Sequence, residues 1–243
     1  MAARRSAALI QVLAEDGSNT ILFQLTIARG TTLLHIGDSK GATCRRILLT
    51  QSTALIEPTA DQGSIDELLR ARRTIHEFTP TPAPEAAVRI ALDAARWAPN
   101  HHLTQPWRFY LLGPETREQI ARLNGDMVAA KKGPEAGEAK YERWRAIPGW
   151  LVVTCERSDD AVRSQEDYAA CCCAIHNFSL SMWAQGLGVK WTTGPVTRTD
   201  EFYELAWIDV EAEQVVGLVW YGYADELPML TRKPLDEVLV SLP

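Results

Sequence analysis

One stretch limits the architectures open to this chain more than any other: QEDYAACCCAIHNFSLSMWAQGLG, residues 165–188. It reads as a long helix ended by Gly186 or Gly188. Its centre, Ala169 to Ile175, has no polar face, and a helix without one must be buried on all sides. Its small side chains let neighbouring helices come close. A chain of 243 residues with 46% apolar composition can bury such a helix inside itself. It can also bury it against a second copy in an isologous dimer.

The remaining sequence sorts into two parts. Residues 1–62 read as an N-terminal extension, poorly defined or partly disordered. They contain ILFQLTIARGTTLLHIGD, which fits one or two strands, and LTQSTALIEPTADQG, which reads as linker. Gly30, Gly37 and Gly41 punctuate this part, and its one candidate helix is short, near residues 6–14. Residues 63–243 carry a sharper pattern. Ser64 followed by Glu67 predicts a capping box opening the helix IDELLRARR. Pro84 suits a first helical turn, and Val88, Ala91, Leu92 and Ala95 give the stripe of an amphipathic helix that Pro99 ends. WRFYLLG reads as a strand, then two polar helices are expected near 115–131 and 135–145. GWLVVTCE is a buried strand, VKWTTGP a strand entering a turn, DEFYELAW a short helix and QVVGLVWYGYA a strand.

Composition narrows the function. A net charge of −6 argues against a general nucleic-acid surface. No apolar run approaches the ~20 residues of a membrane helix, and the first seventeen residues make a poor signal peptide. Five cysteines, three of them adjacent, form no disulfide framework and fit a reducing cytoplasm.

His101 and His102 are neighbours on a turn, without the three or four converging ligands a metal requires, so no metal is expected. Cys171, Cys172 and Cys173 point about 100° apart on a helix and read as packing residues. GDSKGATC lacks the Gly-Lys-Ser/Thr of a Walker loop, and GLGV ends a helix where a dinucleotide fingerprint would open one. The common hydrolase signatures are absent, leaving no side-chain nucleophile. RARRTIHEF allows two readings. Its arginines can complement the dipole at a helix C-terminus. With Thr74 they can also hold a phosphate. Arg232 and Lys233 form a second basic pair.

Together, RRTIHEF, PAPEAAVRIALDAARWAPNHHLTQPWRFYLLG, AIPGWLVVTCE, AACCCAIHNFSLSMWAQGLGVKWTTGP and EQVVGLVWYGYADELP resemble the nitroreductase family of FMN enzymes. The likeness spans nearly all of residues 64–240 and is nearest the small NAD(P)H nitroreductase-like subgroup with an Ala-Pro-Asn-His turn. It implies that residues 63–243 are an FMN-binding domain of α+β class. The fold would be a sandwich with a mixed, mostly antiparallel sheet flanked by helices, and not the doubly wound sheet that alternating strands and helices otherwise suggest. It implies that Arg72, Arg73 and Thr74 hold the phosphate of FMN, that His101 reaches the flavin, and that Trp191, Thr192, Thr193 and Gly194 run along its ring. Arg232 would add a phosphate-binding base and His76 would lie near the pyrimidine edge. Leu103 stands where many relatives have Asn, and Trp97 where close relatives can carry a basic residue. The activity implied is ping-pong reduction of nitroaromatics, quinones or similar small acceptors by NADH or NADPH, with hydride passing through flavin N5. The site would lie at the interface of a homodimer. The alternatives are a flavin-binding protein without turnover, or a specialised relative such as an ene-reductase or dehalogenase.

Overall fold

The computed structural model describes the backbone of residues 7–13, 20–28, 31–37 and 45–49, and residues 62–243, with side chains from Ser64 onward. Two compact units divide the chain, Met1–Asp61 and Gln62–Pro243.

In the first unit, strands β1 (Ala7–Leu13), β2 (Thr20–Ala28), β3 (Thr31–Gly37) and β4 (Arg45–Leu49) form an antiparallel meander in chain order. The segment expected to hold one or two strands supplies two. The short helix expected near residues 6–14 is instead β1, paired with β2 from Ala7 opposite Thr26 to Leu13 opposite Thr20. A nine-residue helix is marginal in water, whereas Ile10 and Val12 favour extended backbone and β2 offers a full ladder. Gly30, Gly41, most of GDSKGATC and most of the expected linker lie outside the described residues.

The second unit runs α1 (Gln62–Ala71), α2 (Glu85–Ala95), β5 (Trp107–Leu111), α3 (Pro114–Lys132), α4 (Pro134–Arg145), β6 (Gly149–Glu156), α5 (Ala161–Ala184), β7 (Gly188–Thr192), α6 (Asp200–Ala206) and β8 (Glu213–Gly222). Its four strands lie in the order β5-β6-β8-β7, every ladder antiparallel. A doubly wound parallel sheet is thereby excluded, and the α+β class holds. The one parallel pairing among the described residues is an isolated bridge between Thr74 and Val189.

Alternation along the strands explains the layers. On β6, Leu151, Val153 and Cys155 face one core while Trp150 and Val152 face the other. Helices α2 and α5 cover the first face; α3, α4 and α6 cover the second. On β8 the period breaks, because Thr154 pairs with Val215 and Val153 with Gly217, leaving Val216 as a bulge. Val216 and Val219 therefore share the α5 face although they lie three positions apart. On the opposite face Trp144 meets Trp150 and Trp220 edge-on at centroid distances of 5.5 and 5.0 Å. Helices α3 and α4 cross closely there. A Cβ on Gly137 would lie 2.5 Å from that of Ala129 and 2.7 Å from the carbonyl of Gly125.

Two sequence expectations need correction. Helix α1 begins at Gln62, so Ser64 lies inside it and the capping box does not form at its start. Helix α5 is not buried on all sides within one chain. Its buried stripe is Asp167, Ala170, Cys171, Ala174, Ile175, Phe178, Ser179 and Met182, while Ala169 is exposed and Cys172 and Cys173 are half-buried. Absence of charge defines the capacity for burial; the neighbours present decide how much of it one chain uses. The helix also starts four residues earlier than the sequence suggested, because Asp160 caps it by accepting from the amides of Val162 and Arg163. Gly186 ends it at a φ of 77°, a conformation in which glycine carries no Cβ penalty.

Candidate functional site

The segment after α1 is held against β7 by its backbone. The Ile75 amide donates to the Val189 carbonyl at 3.1 Å, and the Ile75 side chain is fully buried. Gly188 makes that approach possible, since a Cβ there would sit 2.4 Å from Ile75 Cγ1. Docking Ile75 in this way brings Arg72 and Thr74 alongside the exit of β7. Trp191 is fixed from the other side. Its indole lies over Gly217, where a Cβ would be 2.0 Å from Nε1, and Nε1 donates to the Val216 carbonyl at 3.3 Å. The bulge in β8 thus supplies both the bare backbone and the acceptor.

These placements enclose a cavity of about 350 Å³ lined by Arg72, Thr74, Val189, Trp191 and Thr193, with Ile175, His176 and Ser179 from α5. That volume lies at the small end of the range for ligand pockets. No carboxylate is among these residues. Burial lowers the pKa of Arg72 below the ordinary guanidinium value, and Arg232 and then Arg73 lower it further. A guanidinium lining a cavity without an acidic side chain, with two further arginines near enough to depress its pKa, makes a site for an anion.

The two adjacent arginines take different directions. Arg72 lines the cavity. The Arg73 guanidinium instead donates to the carbonyls of Arg70, Ala71 and Arg72 at 2.5, 2.9 and 3.0 Å, completing the C-terminus of α1. His76 is exposed and outside the cavity lining. Thr192 ends β7, and the Gly194 carbonyl accepts from the amide and hydroxyl of Thr197, closing the turn after it.

His101 is elsewhere. It lines a second cavity, of about 430 Å³, with His102, Thr104, Asp160, Val162, Arg163, Glu166 and Asp167. Its Nδ1 is 2.8 Å from Glu166 Oε2, and its ring stacks on His102 at 3.9 Å. The turn is strained, with positive φ at His102 (56°), Leu103 (52°) and Gln105 (47°). Side chains hold it. Asn100 accepts from the Gln105 amide and donates to Thr104, whose hydroxyl donates to buried Asp167 at 2.5 Å. Trp97 and Leu103 are both exposed.

Sequence reasoning missed the α5 contribution to both cavities: Ile175, His176 and Ser179 in the first, Glu166 and Asp167 in the second. The available signal was the set of polar residues interrupting a helix otherwise read as packing.

The nitroreductase family model matches residues 69–223. The chain is 28% identical over 171 residues to YfhC of Bacillus subtilis, provisionally named an NAD(P)H nitroreductase, covering 69% of this chain and 88% of that protein. The crystal structure of a nitroreductase-like protein from Bacillus cereus superimposes with a TM-score of 0.65 at 28% identity, covering 78% of this chain and 99% of that one. A Desulfovibrio desulfuricans structure provisionally named a nitroreductase, in complex with FMN, gives a TM-score of 0.61 at 22% identity, covering 76% and 99%. The chain belongs to the nitroreductase family of flavin oxidoreductases.

Proposed function

We propose that residues 63–243 form the FMN-binding domain of an NAD(P)H oxidoreductase that works as a homodimer in the cytoplasm, within the subgroup marked by the turn Ala98-Pro99-Asn100-His101. Residues 1–62 are an extension to it. The observation that carries this reading is the Arg72 cavity, cationic on one side, walled by Trp191, Val189 and Ile175 on the other, and without a carboxylate. An anionic phosphate on an aromatic body has that distribution of chemistry.

Arg72 and Arg232 would offset the phosphate, which carries about −1.5 to −2 charges, and the Thr74 hydroxyl would add a donor. Arg73 would act mainly by shaping the end of α1. Trp191 to Gly194 would border the ring and offer backbone hydrogen bonds. When bound, FMN supplies hydride acceptance and donation at N5. Ile175 and Val189 would help exclude water, and NADH or NADPH and then a nitroaromatic, quinone or similar small acceptor would occupy the cavity in turn.

A two-chain site accounts for the separation of His101 from the Arg72 cavity. His101 of the partner subunit would complete the wall that one chain leaves open. Two further features support a dimer. The α5 face bearing Ala169, Cys172 and Cys173 lacks full cover, and Leu235, Val238, Leu239, Val240 and Leu242 near the C-terminus are all exposed. Free apolar residues in such numbers are costly in water.

Anaerobic mixing tests the proposal. Purified protein reconstituted with FMN should lose its visible flavin absorbance when NADH or NADPH is added, and regain it with a nitroaromatic or quinone. Flavin that stays oxidised with both nucleotides would favour a binding protein without turnover. Sedimentation of the FMN-loaded protein as a monomer would overturn the interface site.

A further inference from the structure

His101 and Glu166 are 65 residues apart in sequence, yet the His101 Nδ1 lies 2.8 Å from the Glu166 Oε2. Both side chains are substantially exposed, so no burial forces them together. The geometry is instead imposed by the turn and by α5. Glu166 stands beside Asp167, and Asp167 receives the Thr104 hydroxyl from the turn and Arg163 Nε from its own helix. The same clamp that holds the strained backbone therefore sets the height of Glu166 against His101. His102, turned to positive φ, stacks its ring on the His101 imidazole.

An ionised carboxylate only accepts hydrogen bonds, so Nδ1 must be the nitrogen that donates. The hydrogen bond made by one ring nitrogen dictates the state of the other. We infer that Glu166 is a positioning residue that locks His101 with its proton on Nδ1, leaving Nε2 as the nitrogen that works toward the flavin site. In the neutral ring Nε2 is a bare acceptor. In the imidazolium it is a donor, available to the negative charge that reduction brings to the site, the use to which donors at a developing anion are put. No bond other than that N–H is involved. The inference rests on the proposed function for the direction in which Nε2 acts, but not for the tautomer itself.

The tautomer is measured directly, by long-range ¹H–¹⁵N correlation of the histidine rings in FMN-free protein at alkaline pH. His101 should be protonated at Nδ1. Glu166→Ala should return it to a mixture dominated by the Nε2–H form that free imidazole side chains prefer in water. Glu166→Gln, which keeps an acceptor oxygen, should preserve the Nδ1–H form. The same ratio in the wild-type protein and in Glu166→Ala overturns the inference. In the FMN-loaded enzyme, kcat should fall about 100-fold for His101→Ala and about tenfold for Glu166→Ala, within or just below the range of general acid–base partners. The double variant should be no slower than His101→Ala alone, because Glu166 acts through the ring. Additive losses overturn that route. A His101→Ala enzyme with unchanged kcat and FMN affinity removes His101 from the flavin site and counts against the proposed function, while leaving the tautomer result standing.

Discussion

Around Arg72 the chain is held by its main chain, through the Ile75–Val189 hydrogen bond and a side chain sunk against Gly188; around His101 it is held by side chains, through Asn100, Thr104 and Asp167. The first region adds one more backbone partner to a sheet edge and needs no unusual dihedral angles. The second keeps three non-glycine residues at positive φ within four positions. Each such residue costs on the order of 1 kcal/mol, and it persists only because surrounding contacts overdetermine it. A region held by its backbone tolerates changes of polar side chain at little structural cost. A region held by side chains loses its shape when a single hydroxyl is lost.

The sharpest division between the two regions comes from Arg72→Ala. FMN affinity should fall about 100-fold while riboflavin affinity and the unfolding midpoint stay close to wild type, since one charge-assisted partner of the phosphate is lost. Parallel titrations of the two flavins check this, and equal losses for both would remove the phosphate from Arg72.

Gly188→Ala attacks the same region through its backbone. A methyl group 2.4 Å from Ile75 Cγ1 must displace the segment, costing about 2 kcal/mol of stability. Urea unfolding should show the loss, and FMN affinity should fall with it because Arg72 moves.

In the other region, Thr104→Val removes the hydroxyl between Asn100 and Asp167 and leaves a buried carboxylate one donor short. Thermal or urea unfolding should show a loss of about 1.5 kcal/mol. Unlike Arg72→Ala, it should also raise amide exchange across residues 100–106 without FMN present.

The smallest effect has the opposite sign. Leu103 is 79% exposed at a φ of 52°, so little burial is forfeited by changing it. Asparagine accepts that conformation more readily, and Leu103→Asn should raise stability by about 0.5 kcal/mol. A fall in melting temperature would mean that Leu103 has a packing partner in the assembled protein.

Much of the second unit was legible from local patterns. GWLVVTCE coincides with β6, and the polar helices expected near 115–131 and 135–145 match α3 and α4 within a residue or two. These segments are long or strongly apolar, so period and end signals agree. Where signals were short, they misled. Residues 7–13 lack a decisive period, and pairing with β2 made them a strand. Ser64 and Glu67 have capping-box spacing inside a helix that had already begun. Arg72, Thr74, Trp191 and Thr193 line one cavity, whereas Arg73 turns back to its own helix and His76 faces solvent. Adjacent residues of one type carry no mark that tells which of them turns inward.

From sequence alone came the kinds of residue available: a helix able to be buried, a basic run able to meet a phosphate, and a histidine turn too poor in ligands for a metal. These follow from side-chain chemistry and short-range periodicity, which a linear sequence displays. Tertiary structure decided the partners. Gly188 admits Ile75, Gly217 admits Trp191, and Glu166 reaches His101 across 65 residues. Such contacts depend on how strands and helices meet in space, and the energy that selects them is shared among residues too far apart for any local pattern to record.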